Sequence, residues 1–262
     1  MTASEQRSAA SEDSDRPTAA VLLIGNELLS GRTADRNLQY IGQRLAEHGI
    51  RLGEARVVED EPADIIAALN TLKKRYDTVF TTGGIGPTHD DITADCVAEA
   101  FGVALLEHPE ARRRIEEYCA EKGVDVNADR LRMARVPEGG ELIENPLSAA
   151  PGFRIENVYV MAGVPSIMQA MLETVLPTLR AGRPIHSVSV IGNLPEGEMA
   201  TPLRAIQTAF PAVSIGSYPG RDASGFRGAL VARGSDPEEL EAVAEELRAM
   251  ILRAGGKLIE AP

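Results

Sequence analysis

The sequence predicts an α/β protein, a parallel β-sheet flanked by helices, followed by a small α+β appendage. Three observations carry this reading. The run Ala19-Ala20-Val21-Leu22-Leu23-Ile24 is apolar throughout and stops at Gly25, the signature of a central parallel strand buried on both faces. Helical and strand patterns then alternate in a βαβαβ rhythm, which implies right-handed crossovers. After Ala181-Gly182-Arg183-Pro184, the best linker candidate, the rhythm changes to β-α-β-β-α.

Each element has its own warrant. Met1 to Pro17 is rich in Ser, Ala, Glu and Asp and reads as a disordered tail without the apolar core of a signal peptide. Asn37 to His48 places Leu38, Ile41 and Leu45 on one helical face, and Gly49 stops it. Val57-Val58 is a short strand candidate, and Pro62 opens a helix carrying Ile65, Ile66 and Leu69. Thr78-Val79-Phe80-Thr81 reads as a buried strand. Farther on, helices are expected over Pro109 to Lys122, Ala128 to Arg135 and Ile167 to Leu179. Phe153-Arg154-Ile155 and Val158 to Met161 flank Glu156-Asn157 as a hairpin. In the appendage, His186 to Ile191, Val213 to Ser217 and Arg227 to Val231 read as strands, with helices at Glu196 to Phe210 and Pro237 to Ala254.

Composition narrows the function. The 262 residues, 44% hydrophobic and 25% charged, are ordinary for a soluble globular protein of one or two domains. A formal net charge of -12, no Trp and no basic run argue against a nucleic-acid partner. No apolar run approaches membrane-spanning length, and Cys96 and Cys119 lack metal-ligand spacing. A cytoplasmic protein is expected. An anionic ligand gains nothing from long-range steering toward such a protein, so local devices must bind it.

The chemistry concentrates in Thr81-Thr82-Gly83-Gly84-Ile85-Gly86-Pro87-Thr88-His89-Asp90-Asp91-Ile92-Thr93, between the strand at Val79-Phe80 and a helical pattern through Cys96, Val97 and Phe101. Glycines at a strand-to-helix junction let backbone approach a ligand, and the helix start suits a phosphate. Asp90 and Asp91 would repel that phosphate unless a cation intervenes. Thr88 and Asp91 also satisfy a capping box, with Thr88 as N-cap, so Asp91 has two competing readings. Without Gly-Lys-Ser/Thr this is no P-loop, and the third glycine of a dinucleotide fingerprint is missing. Gly25-Asn26-Glu27 ends the first strand and can face the same crevice. His89 beside two acids reads as solvent-facing, Asp35 as a helix cap, and Arg32 and Arg36 as surface residues or charge partners for phosphate.

Gly25 to Gly31 with Asp35 and Asn37 resembles the first motif of the CinA (competence/damage-inducible) amino-terminal domain, and Gly83 to Thr93 resembles its second. Asn145-Pro146, Ala150-Pro151-Gly152-Phe153 and Gly163-Val164-Pro165-Ser166 match further signatures in order, so the resemblance spans roughly residues 18 to 180. It implies a MoaB/Mog-like, molybdopterin-binding-like three-layer sandwich over 18–182, with 183–262 similar to the small KH-like domain of full-length members. It also implies a homo-oligomer and hydrolysis of nucleotide pyrophosphates such as ADP-ribose or FAD. Binding of molybdopterin without chemistry, or its adenylylation, are the alternatives. The family's carboxyl-terminal deamidase is absent from this sequence, so that activity is not expected. The resemblance makes Asp91 the catalytic acid, with Asp90 and Glu27 as further catalytic or metal-binding acids for a divalent ion (Mg or Co type), K⁺ being a further cation. The phosphorylated nucleotide or pterin ligand would meet Gly25, Thr82, Gly83, Gly84, Gly86, Pro87 and Thr88, with Ser148 and Gly152 on the rim.

Overall fold

The computed structural model describes residues 16–222 and 225–259, which divide into a unit of Arg16–Gly182 and a second unit within Arg183–Pro262. Residues 1–15 of the expected tail lie outside the described residues. Its last two residues do not belong to a tail. The Pro17 carbonyl accepts from Arg51 N–H at 2.8 Å, and Arg16 Nε donates to the Gly49 carbonyl at 2.8 Å.

The larger unit is built on a six-stranded sheet. Its strands are β1 (Thr18–Ile24), β2 (Arg51–Val58), β3 (Thr78–Thr82), β6 (Glu141–Ile143), β7 (Gly152–Ile155) and β8 (Val158–Met161), in the order β2-β1-β3-β8-β7-β6. The pairs β1–β2, β1–β3 and β3–β8 are parallel, whereas β7 pairs antiparallel with both β8 and β6. The sheet is therefore mostly parallel with an antiparallel edge. The Glu156-Asn157 turn, too short for a crossover, dictates the reversal. Between β3 and β6, β4 (Leu105–Glu107) and β5 (Arg135–Pro137) pair separately as a two-stranded antiparallel sheet that the sequence reading missed.

β1 shows why its run is apolar without alternation. Ala20, Leu22 and Ile24 face one core with Ile65, Leu69 and Leu72 of α3 (Pro62–Arg75) and Val97 of α4 (Thr93–Phe101). Ala19, Val21 and Leu23 face a second core with Ile41 and Leu45 of α2 (Asn37–Glu47) and Met168, Met171 and Leu172 of α7 (Pro165–Val175). Two packed faces need two apolar faces, and each buried Leu contributes roughly 1.5–3 kcal/mol. At the sheet edge, β2 instead alternates exposed and half-buried residues and is eight residues long, well beyond the Val57-Val58 pair. A short helix α1 (Asn26–Leu29) follows β1.

Several helix boundaries differ from expectation. The helix after the glycine loop begins at Thr93, with Ile92 as its N-cap, and not at Thr88. The helix expected over Ala128 to Arg135 is α6 (Ala128–Arg132), because Arg135 already opens β5. α5 (Pro109–Lys122) packs Ala111, Ile115 and Cys119 against Ala134 in a small separate cluster.

In the second unit β9 (His186–Gly192), β10 (Ser214–Asp222), β11 (Gly225–Gly234) and β12 (Leu258–Ile259) form a four-stranded antiparallel sheet in the order β10-β11-β9-β12. α8 (Glu196–Ala209) and α9 (Pro237–Arg253) supply Met199, Ile206, Leu240, Val243 and Leu247 to its core. Among the described residues no helix is long and apolar enough to cross a membrane.

Both cysteines are buried and free, and burial pushes the Cys96 thiol up to about 11. Only the thiolate reacts appreciably with alkylating reagents. Iodoacetamide at pH 8 is therefore expected to leave both unmodified in the folded protein and to label both in denaturant, as intact mass reports. Rapid labelling of the native chain would contradict the packing around α4 and α5.

Candidate functional site

The glycine loop takes a shape that only glycine permits, though chiefly for internal reasons. Gly83 and Gly84 have φ of 103° and 67°, in the left-handed half of backbone space. A Cβ on Gly83 would lie 2.2 Å from the Ile24 carbonyl oxygen, and one on Gly84 would lie 2.2 Å from Thr93 Oγ1. At Gly86 it would come within 2.6 Å of Asp91 Oδ2. The missing side chains thus let the loop seat on β1, on the start of α4 and on its own acid. Thr93, fully buried, donates Oγ1–H to the Gly83 carbonyl at 2.9 Å and N–H to the Gly84 carbonyl at 3.0 Å.

Between those anchors the chain closes on itself. Asp91 Oδ2 accepts from Thr88 N–H at 2.8 Å and from the Thr88 hydroxyl at 2.6 Å, and Asp91 N–H donates to the Thr88 carbonyl at 3.2 Å. Only the first is a capping-box bond, since the Thr88 hydroxyl donates where an N-cap would accept from Asp91 N–H, and together the three close a loop ahead of the helix. The nearby Thr88 side chain, then Asp90's own amide, holds the Asp90 carboxyl below the usual carboxylate range. Neither acid is helical, since the helix starts at Thr93. Asp90 remains outward, its side chain 63% exposed, with His89 98% exposed beside it.

Among the described residues the amides of Gly84, Ile85 and Gly86 make no hydrogen bond. Gly84, Gly86 and Asp91 line a cleft with Ala94 of α4, Pro151 and Phe153 of the β7 region, and two arginines absent from the expected site, Arg132 and Arg135. Arg135 is spent on Asp95, which it meets through both terminal nitrogens at 3.0 and 2.9 Å. Arg132 Nη2 donates to the Asp91 carbonyl at 3.1 Å, and its Nε is buried without a partner. A buried donor left unpaired costs about 1–3 kcal/mol. The sequence held no signal for Arg132, since it approaches the loop from 41 residues away.

The other expected residues fall elsewhere. Gly25 ends β1, and Glu27 in α1 curls back over it, so that a Cβ at Gly25 would meet both Glu27 carboxylate oxygens at 2.6 Å. The Asn26 amide is held by Asp60 at 2.9 Å, a contact the sequence did not suggest. Asp35 caps the start of α2, accepting from Asn37 and Leu38 N–H at 3.1 and 3.0 Å. Asn37 Nδ2 donates to the Gly163 carbonyl at 2.8 Å, and a Cβ on Gly163 would lie 3.2 Å from Gly83 Cα, so this turn backs the glycine loop. Arg32 and Arg36 are exposed. Thr82 is only 3% exposed and offers a ligand little surface, while Pro87 is exposed. Gly152 does not form a rim. It lies inside β7, where a Cβ would strike the Val160 carbonyl at 2.4 Å, and its neighbours Pro151 and Phe153 reach the cleft instead. Ser148 belongs to a loop organised by Asn145 Oδ1, which accepts from Leu147 and Ser148 N–H at 3.1 Å each.

Among the described residues no three His, Cys, Asp or Glu side chains converge. Glu27, Asp90 and Asp91 therefore do not form a three-carboxylate metal centre.

A mostly parallel sheet between helices, with a glycine loop at the end of an inner strand, defines an α/β protein of the open-sheet class, in which ligands sit at the carboxyl ends of strands. The chain belongs to the family described as the probable molybdopterin binding domain, which matches residues 20–181. Residues 184–255 match the middle domain of FAD synthase. A protein of Aeropyrum pernix is 35% identical over 94% of this chain and 98% of its own. A CinA-like protein of Desulfosudis oleivorans is 34% identical over 76% of this chain, which spans 51% of that longer relative. The crystal structure of the protein CinA from Thermoplasma acidophilum, of unknown function, superposes with a TM-score of 0.58 at 33% identity, covering 62% of this chain and 98% of that one.

Proposed function

We propose that the chain is a metal-dependent pyrophosphatase acting on a nucleotide diphosphate compound of the ADP-ribose or FAD type. One observation carries the reading: three consecutive unpartnered amides, Gly84 to Gly86, stand beside the Asp91 carboxylate in one cleft. Converging N–H groups suit phosphoryl oxygens, and they do so without net positive charge. The match of the second unit to the middle domain of FAD synthase adds a nucleotide context.

The carboxylates suit a divalent ion of the Mg type, which takes one or two of them and completes its shell with water and substrate phosphate. Asp91 Oδ1 makes no hydrogen bond, and the Asp90 carboxylate is 63% exposed, with His89 Nδ1 3.9 Å away. These two acids would hold the cation, which would neutralise charge on the diphosphate. Exposed Asp90 orients a water and accepts its proton as the oxygen attacks phosphorus in line. The bridging P–O bond breaks, the leaving nucleoside phosphate carries off the electron pair, and the amides of Gly84 to Gly86 stabilise the charge that develops.

Binding of molybdopterin or another phosphorylated ligand without turnover is the second reading, favoured by the lack of a preformed metal centre among the described residues. Incubation with ADP-ribose or FAD and Mg²⁺ or Co²⁺, followed by chromatography, separates the two. Release of AMP with ribose 5-phosphate or FMN is expected, and chelator abolishes it. Saturable calorimetric binding with no product under any cation would replace hydrolysis by the second reading.

A further inference from the structure

We infer that Arg132 is the anion-gripping side chain of this cleft and sets its preference for a phosphorylated ligand, an inference that rests on the site proposed above. In a chain of net charge -12, long-range attraction of an anion is unavailable, so local groups must supply it, and a side-chain cation in the cleft would add to the amides. The cleft offers two candidates. Arg135 has both terminal nitrogens committed to Asp95, and that pair is already neutral. Arg132 has a single bond, from Nη2 to the Asp91 carbonyl at 3.1 Å, which accepts a hydrogen but cancels no charge.

The rest of its fork is uncommitted, and Nε is buried without a partner. Arg132 is the last residue of α6, and Gly84 and Gly86 line the same cleft. A phosphoryl group held by those amides meets a planar donor fork, which matches two of its oxygens at once. An ammonium on a lysine stem keeps the charge but loses the two-point match. The bond to the Asp91 carbonyl adds a second role: the residue that holds the phosphate also steadies the loop that carries the acid.

Calorimetry with inorganic pyrophosphate as probe tests this, on the wild type and on Arg132→Lys, Arg132→Gln and the neighbouring Arg130→Gln. Arg132→Lys is expected to weaken binding about tenfold and Arg132→Gln about a hundredfold, with Arg130→Gln unchanged. The ionic-strength dependence should persist in the lysine variant and flatten in the glutamine one, which a purely structural role for Arg132 would not produce. Wild-type affinity in Arg132→Gln, or equal weakening with an unaltered salt dependence in both variants, overturns the inference and leaves the amide site standing. Should Arg132→Gln fail to fold, the lysine variant decides through its affinity. A wild-type protein that binds no pyrophosphate removes the site and this role together.

Discussion

Asp91→Asn is expected to lower turnover of the nucleotide diphosphate by about 10²- to 10⁴-fold, because one of the two charges that would hold the cation is lost and that cation's charge stabilisation is worth several kcal/mol, while the thermal midpoint barely moves. The argument is local. Asp91 Oδ2 holds the turn by accepting two hydrogen bonds from Thr88, at 2.8 and 2.6 Å. An asparagine carbonyl oxygen can accept both, so the loop persists and only the charge disappears. Asp91→Ala, by contrast, removes the acceptor and frees Thr88 N–H and hydroxyl, so it should lose stability as well as turnover. Reading both variants by product chromatography and by calorimetry separates the charge from the scaffold. Full turnover in Asp91→Asn would assign Asp91 to the loop alone and remove the proposed chemistry.

The second large effect is structural. Gly84→Ala is expected to lower the stability of the larger unit by about 2–4 kcal/mol, combining the left-handed backbone penalty with overpacking. That corresponds to roughly 5–15 °C in its thermal midpoint. The added methyl would lie 2.2 Å from Thr93 Oγ1, and neither partner has room, since Thr93 is fully buried and bonded to the Gly83 carbonyl. Pyrophosphate binding should fail in the same variant, because the amides that receive it belong to the displaced loop. Combining it with Thr93→Ala removes the obstructing hydroxyl and should cost less than the sum of the two single changes, leaving the φ penalty. A Gly84→Ala protein that melts with the parent would refute this loop conformation.

The two variants show how differently the loop's residues were legible. Its glycines were visible in the sequence as a strand-to-helix device, yet their reason was not. In sequence they suggest room for a ligand, and in the structure they make room for Ile24, Thr93 and Asp91. That Thr88 and Asp91 pair was legible because their bonds are short-range, but they do not form the helix cap that the sequence suggests. Their placement ahead of the helix was not legible, because Thr93 starts α4 through contacts ten and nine residues back, to Gly83 and Gly84. Gly152 misled for a related reason: a glycine beside a motif looks like a rim, but a close strand pairing demands it just as strongly.

By itself the sequence determined the layered α/β architecture, the position of the glycine loop and the pairing of Thr88 with Asp91. All three follow from local chemistry: two-faced apolar patterning, glycine's missing Cβ and side-chain hydrogen bonds over three residues. Only the tertiary structure decided the antiparallel edge and the separate β4–β5 pair, and only it brought Arg132 to the cleft. Charge in sequence carries no direction, and an arginine in a helical run looks like any solvated residue until the fold closes around its Nε. The bond from Arg132, at the end of α6, to the carbonyl of Asp91, 41 residues away, turns that side chain from surface into site.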